Sequence, residues 1–219
     1  MSDDSFIREV DDELRQDQAK QIWNSYGTLI VGAAIAVVIG TAAWTGYSSW
    51  VKSKANASGD AFSQALTLSA DGKTEEAEAA LTAMQADSYG AYPLLARMRL
   101  ATLAAEKGDA AGAVTAFDAV AADTSVPGPI RDLAKLRAAY LLVDSGSYAD
   151  VASRAETLTG ETNALRHSAR EALGLSAWKE GKSADALALF SQIATDDAAP
   201  RNARKRADLM AKLLAGSGA

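Results

Sequence analysis

The side chains that most often carry out chemistry in proteins are scarce in this chain. It has one histidine, His167, and no cysteine. A metal site built on several histidines or thiolates therefore has no donor set, and a serine–histidine–aspartate triad would need His167 itself. We interpret His167 as a solvated residue on a helix.

Two pairs of adjacent carboxylates are the next candidates, because paired acids can act as general acid and base. They are Glu75 with Glu76, and Asp196 with Asp197. Both pairs stand beside predicted turns or helix ends, where a carboxylate stays hydrated or interacts favourably with the positive end of a helix dipole. We therefore interpret both pairs as surface residues rather than catalytic ones.

Two short segments resemble the end of a phosphate-binding loop, namely Gly-Lys-Thr at 72–74 and Gly-Lys-Ser at 181–183. A P-loop also needs a glycine about five residues earlier, and neither segment has one. We interpret both segments as turns. The sequence therefore predicts a protein that is not an enzyme and that binds no metal, cofactor or small-molecule substrate.

The balance of charges bears on the class of partner. The chain has 28 acidic and 22 basic side chains and a net charge of −6, so it presents no general basic field, and we expect no nucleic-acid partner. The basic segment RNARKR at 201–206 could contact anionic lipid headgroups, but such a cluster on a terminal helix is more typical of a solvated face. Without cysteine, the stability of the fold must come from packing.

An uncharged run extends from residue 21 to residue 51. It is long enough for a transmembrane helix, which needs about 20 apolar residues, and too long for the apolar region of a signal peptide, which has about 7–15. Aromatic residues flank its most apolar part on both sides, as they do at membrane–water interfaces. These residues are Trp23, Tyr26, Trp44, Tyr47 and Trp50. The run predicts a transmembrane helix with interfacial flanks at 21–51.

A cleaved signal peptide and a buried helix of a soluble domain are the alternatives. Ala-Asn-Ala at 55–57 could be read by signal peptidase, but signal peptides begin with basic residues, and the arm at 1–20 has seven acids against three bases. The flanking charges leave the orientation open, because three Lys and Arg residues precede the run and two, Lys52 and Lys54, soon follow it.

A linker at 52–58 precedes a domain at 59–215, and residues 216–219 form a tail. The domain is rich in alanine and leucine and has no alternating β-branched run, so it is predicted to be all-α. Glycines at 72, 108, 146 and 181 close helical stretches and are 36, 38 and 35 residues apart, a period typical of helical repeats. We expect each glycine to form the left-handed turn that ends the first helix of a pair.

The segments that follow these glycines are similar: GKTEEAEAAL, GDAAGAVTAF, GSYADVASRA and GKSADALALF. Each has a small or β-branched residue five positions after the glycine, and three of them have a larger apolar residue four positions later. This spacing places each pair on one face of the second helix. The pairs are Ala77 and Leu81, Ala113 and Phe117, Val151 and Ala155, and Ala186 and Phe190.

This pattern resembles tetratricopeptide repeats, which are helical hairpins of about 34 residues. The fourth repeat is the most similar, through Leu173, Gly174, Ala186 and Phe190. The resemblance predicts an α-solenoid of about four degenerate hairpins at 58–86, 91–122, 129–158 and 163–195, followed by a capping helix at 200–214. A single transmembrane helix precedes this solenoid.

The order of the parts resembles the narrower YfgM-like family of bacterial inner-membrane proteins. The resemblance rests on the acidic arm EVDDELRQDQAKQIWNSYG, the glycine- and alanine-rich span, YGAYPLLARMRLA in the second repeat, and REALGLSAWKEGKSADALALF near the end. It implies a cytoplasmic N-terminus, a single span in the inner membrane and a periplasmic repeat domain. It also implies a chaperone-like role beside the Sec translocon, with a membrane-anchored chaperone of the prolyl-isomerase type and client polypeptides as partners.

A periplasmic scaffold for envelope assembly or cell division is the alternative function. In either case we expect partner contacts from tyrosine, arginine and methionine side chains, which are frequent at interface hot spots or adaptable surfaces. The candidates are Tyr89, Tyr92, Met98, Arg99 and Tyr140. In the span, Gly32, Ala36 and Gly40 line one helical face, and such small residues let a second membrane helix approach closely.

Overall fold

The computed structural model describes residues 3–216, and their side chains from residue 20 onward together with those of residues 15, 17 and 18. The described chain is helical and contains no strand, which confirms the predicted all-α fold. The α-helices are α1 (Asp3–Ala70), α2 (Thr74–Asp87), α3 (Tyr92–Glu106), α4 (Ala110–Ala122), α5 (Gly128–Ser145), α6 (Tyr148–Ala155), α7 (Arg166–Lys179), α8 (Ser183–Ala194) and α9 (Arg201–Gly216), and a short 3-10 helix (Glu156–Leu158) follows α6.

Helix α1 contains the uncharged run. Within α1, Lys20–Ala70 is long and apolar enough to cross a membrane, and its most apolar 18-residue window has a mean hydropathy of 2.0 and is only 6% buried. Length, composition and exposure therefore make this helix a candidate membrane span.

The chain divides into two compact units between Asn56 and Ala57. Residues 52–58, interpreted above as a linker, are helical and lie inside α1, and the division falls within them. Residues 1 and 2 of the acidic arm and residues 217–219 of the tail lie outside the described part of the chain.

In the second unit, each expected hairpin is a pair of consecutive helices joined by a short turn. The end of α1 packs with α2, α3 with α4, α5 with α6, and α7 with α8, while α9 packs against α8 as the expected final helix. Because each first helix also contacts the second helix of the preceding pair, the hairpins form a continuous stack, as in an α-solenoid.

The core of this stack is divided along the chain. Among the described residues, four clusters of buried side chains occur, and each joins one hairpin to the first helix that follows it. Hydrophobic packing therefore joins mainly hairpins that follow one another along the chain. A loss of packing in one cluster should weaken the hairpin next to it.

The small and large residues predicted to share a face of each second helix are all buried, with at most 2% of their surface exposed. The fourth hairpin shows why the facing residue must be small. A Cβ atom at Gly174 would lie 3.0 Å from Cζ of Phe190. Glycine at this position therefore lets α7 approach α8 closely over the phenyl ring.

The third hairpin differs from the others. Gly72, Gly108 and Gly181 have the expected positive φ angles of 78°, 88° and 78°, but Gly146 is extended, with φ −95° and ψ 179°. Only Gly146 and Ser147 connect α5 to α6, whereas three residues form each of the other turns. Ser147, directly after Gly146, is the N-cap of α6 and forms a capping box with Asp150. This short connection therefore needs no residue in the left-handed conformation.

The third hairpin also lacks a large residue at Ala155, yet its cluster is filled. Leu158, in the 3-10 helix that extends α6, is 1% exposed and packs in the same cluster as Ala155. Leu158, three residues after Ala155, therefore occupies the space that a large side chain at position 155 would fill.

Replacing Phe190 by alanine should destabilise the stack. The ring is 1% exposed and joins α8 to α7 and α9, and removing such a side chain costs about 3–5 kcal/mol of unfolding free energy. Chemical denaturation of the purified chain, followed by circular dichroism, measures this loss. Trp178→Ala is the matched control, because that aromatic ring is 44% exposed. Equal losses in the two variants would contradict the proposed packing.

Candidate protein-interaction surface

A groove opens beside the first helices of the second and third hairpins. It has a volume of about 380 Å³ and is lined by residues of α3, α4 and α5. These residues are Thr102, Ala105, Phe117, Arg137, Tyr140 and Leu141. We call this cavity the α3–α5 groove. Its wall is mainly apolar with a few polar tips, which is the usual composition of a site that binds a side chain or short segment.

Arg137 gives the groove its charge. Its side chain is exposed, and within the part of the chain that the structure describes the guanidinium has neither a hydrogen bond nor an ion pair. A guanidinium that has no other partner and lies beside apolar surface can bind a carboxylate by donating two parallel hydrogen bonds to it.

Tyr140 forms another part of the wall. Its ring is 36% exposed, while its hydroxyl donates a hydrogen bond of 3.1 Å to the carbonyl oxygen of Ser168 in α7. Burial of the hydroxyl and the nearby carboxylate of Glu171 raise the pKa of Tyr140 to about 12. The phenol therefore stays protonated at neutral pH and holds the ring in place while its face remains accessible.

The other predicted partner residues lie elsewhere. Tyr92 packs against the ring of Phe62, with centroids 6.0 Å apart, and Arg99 donates a hydrogen bond of 2.6 Å to Ser69 in α1. The backbone N–H of Tyr89 donates a hydrogen bond of 2.8 Å to Ser58. These three residues therefore contact the end of α1, apart from the groove.

Met98 lies on α3 and is half-buried against the cluster that joins α3, α4 and α5. The structure thus does not gather the five predicted residues on one surface. Arg137, which we did not predict, is the groove residue whose charge has no partner among the described residues. Its position nine residues before Gly146 matches that of Arg99 before Gly108, which is the signal in the sequence that could have identified it.

In the first unit, Gly32, Ala36 and Gly40 are exposed. A Cβ atom at Gly32 or at Gly40 would meet nothing within 4 Å. The predicted small-residue face is therefore uncovered within the described residues.

The interpretation of His167 as a solvated residue is wrong. His167 is 6% exposed, and its Nε2 lies 2.7 Å from Oδ2 of Asp196. Arg166 donates to the same oxygen at 3.1 Å. Asp196 is half-buried, and it ties the start of α7 to the connection between α8 and α9, a structural contact that the sequence did not indicate.

These contacts determine the charge state of Asp196. The hydrogen bond with His167, then that from the backbone N–H of Ala198, and then Arg166 lower its pKa to about 2. The carboxylate thus stays ionised at neutral pH and serves as a structural acceptor. Among the described residues, no three metal-ligating side chains converge at this point or elsewhere.

The basic segment at 201–206 is not simply a solvated face. Arg206 donates to both oxygens of Glu171 at 2.7 and 2.8 Å, and Arg204 contacts Asp197 at 3.2 Å. Because Glu171 also lies near the hydroxyl of Tyr140, these side chains link α9 through α7 to the wall of the α3–α5 groove. The segment therefore has a structural role that composition did not reveal.

Asp196→Asn should lower the melting temperature at neutral pH, because it removes the charge that His167 and Arg166 share. Since the pKa of Asp196 falls from 3.8 to about 2 on folding, its ionised form stabilises the fold above about pH 4, and this contribution is lost as the pH falls towards 2. The difference in melting temperature between the two proteins should therefore narrow over that interval. A constant difference from pH 7 to pH 2 would contradict this assignment.

The comparison with known proteins agrees with this architecture. The model of the family described as a tetratricopeptide repeat-like domain matches residues 20–213, which include the candidate span as well as the helical stack. Searches of curated proteins and of solved structures find no match. Because the family model covers most of the chain, this protein belongs to the tetratricopeptide repeat-like domain family.

Proposed function

We propose that this protein is a membrane-anchored interaction subunit whose helical stack holds polypeptide partners without chemical turnover. The observation that carries the proposal is the α3–α5 groove, where the guanidinium of Arg137, without a partner among the described residues, and the accessible ring of Tyr140 flank apolar surface. Arginine and tyrosine supply large contact areas with polar tips, and they dominate many protein interfaces. Membership of a repeat family that serves as an interaction scaffold supports this role.

The N-terminal helix is proposed as the anchor. An anchored domain meets neighbouring membrane proteins at a high effective concentration, so that weak contacts suffice. In this proposal residues 21–51 cross the inner membrane once, the arm at 1–20 is cytoplasmic and the repeat domain is periplasmic. Gly32, Ala36 and Gly40 then offer a face on which another membrane helix can pack.

The proposed partners are the Sec translocon, a membrane-anchored periplasmic chaperone of the prolyl-isomerase type, and client polypeptides. Their identity rests on the resemblance of the arm, the span and the repeat motifs to the YfgM-like family. A periplasmic scaffold for envelope assembly or cell division has the same architecture and is the alternative. The two functions differ in which proteins contact the groove.

The experiment is crosslinking in spheroplasts with a reagent that cannot cross the membrane, followed by identification of the captured proteins. We expect capture of translocon or chaperone subunits by the repeat domain. The double variant Arg137→Ala, Tyr140→Ala should reduce that capture about tenfold or more, since truncation of a hot-spot residue costs about 2 kcal/mol. Loss of the hydrogen bond from Tyr140 to Ser168 should lower its melting temperature only slightly, and circular dichroism should show that the stack stays folded, because neither side chain belongs to a core cluster.

Two control variants separate the contribution of the Tyr140 ring from that of its hydroxyl, and the effect of a groove charge from that of a charge elsewhere. Tyr140→Phe removes the hydroxyl but keeps the ring, and should retain most of the capture. Arg201→Ala removes an exposed charge outside the groove and should have no effect. Capture of envelope-assembly proteins alone would favour the scaffold. Labelling of the repeat domain only after lysis would contradict the orientation, and unchanged capture by the double variant would contradict the groove.

A further inference from the structure

A second groove lies between α5 and α7, close to their C-terminal ends. It has a volume of about 490 Å³ and is lined by Val143, Asp144, Leu175, Trp178 and Lys179. We call it the α5–α7 groove. It shares helix α5 with the α3–α5 groove, but the two cavities have no lining residue in common.

Trp178 provides the aromatic surface of this groove. Its side chain is 44% exposed, and within the described residues its indole N–H has no hydrogen-bond partner. Val143 and Leu175 beside it are partly buried. An exposed indole attracts cations to the face of its ring, and aliphatic neighbours can hold the methylene stem of a long side chain.

The ammonium group of Lys179 forms hydrogen bonds within the protein. Its Nζ donates hydrogen bonds to the carbonyl oxygens of Val143, Asp144 and Gly146 at 2.9, 2.9 and 2.8 Å. These bonds use all three donors of the ammonium group and satisfy carbonyl groups at the end of α5. The lysine therefore closes one side of the groove without pairing with the carboxylate of Asp144.

Asp144 remains as the unpaired charge. Its side chain is exposed and, among the described residues, its carboxylate makes neither a hydrogen bond nor an ion pair. It stands in the last turn of α5, where the ammonium of Lys179 already occupies the helix end. The carboxylate of Asp144 and the indole face of Trp178 thus both favour a cation, while the ammonium of Lys179 directs its hydrogen bonds to the backbone of α5.

We propose that the α5–α7 groove binds a lysine or arginine side chain from an apolar segment of a partner polypeptide. The inference rests on the proposed function and names the chemistry of the segment that the stack recognises. The aliphatic stem of the bound residue lies against Val143 and Leu175, and its charge lies between Asp144 and the ring of Trp178. An acidic residue is disfavoured there, because it would face the unpaired carboxylate of Asp144.

The test uses the full chain in nanodiscs of zwitterionic lipid and short fluorescent peptides. The peptides are apolar and identical except for a central lysine, arginine, glutamine or glutamate, and binding is followed by fluorescence anisotropy. We expect the lysine and arginine peptides to bind about fivefold more tightly than the glutamine peptide, as a partly exposed cation–π contact with an ion pair would give. The glutamate peptide should bind most weakly.

Variants assign the preference to the groove. Asp144→Asn should abolish the advantage of lysine over glutamine, whereas Asp87→Asn, the same change at an exposed residue of α2, should leave that advantage intact. Trp178→Ala should weaken binding of the lysine peptide, and Trp178→Phe should restore most of it because an aromatic face remains. Melting temperatures close to that of the wild type show that each variant is folded.

Several results would overturn the inference. The first two are equal binding of the lysine and glutamine peptides, and a preference for lysine that persists in Asp144→Asn. A complete lack of peptide binding would also overturn it. The same preference for lysine with empty nanodiscs would show that the lipid, and not the protein, binds the peptide. None of these results affects crosslinking through Arg137 and Tyr140, so the proposed function would stand. If the variant Arg137→Ala, Tyr140→Ala loses crosslinking but still prefers the lysine peptide, the result supports both the proposed function and the lysine- or arginine-binding groove.

Discussion

Paired helices in this stack lie close together over a large buried side chain, and this close packing sets the spacing of the other helices. Phe190 can lie against α7 because Gly174 has no side chain, and a methyl group at that position would already be 3.0 Å from the ring. In the other hairpins, small residues that are fully buried serve the same purpose. Because packing density leaves little room for adjustment, this contact determines how far apart the helices of a pair lie.

The grooves follow from the same arrangement. The second helices and the facing sides of the first helices are used in packing, so the remaining sides of α3, α5 and α7 are left accessible beside two cavities. Among the described residues, the arginine of one cavity and the aspartate of the other are without ion-pair partners, although both lie on α5. A repeat protein can thus vary its binding chemistry from one groove to the next without changing the packing that holds the stack together.

The helical period and the buried pairs could be predicted from the sequence, because both depend on residues within one or two turns of each other. The bonds between His167 and Asp196, and between Arg206 and Glu171, could not, because they join side chains about one hairpin apart whose meeting depends on how helices stack. The extended conformation of Gly146 was missed because it results from a shorter connection. The free charge of Arg137 was missed because only the folded chain shows which cations are paired.

Partners are proposed to contact the grooves of the first helices rather than the outer surface of the second helices. Site-specific photocrosslinking in native membranes distinguishes the two surfaces, with a photoreactive amino acid in place of Tyr140 or, as the comparison, of Ala119, an exposed residue of α4 outside the groove linings. We expect strong crosslinks to a discrete set of polypeptides from position 140 and few from position 119. Equal crosslinking from both positions, or crosslinks from position 119 alone, would contradict it.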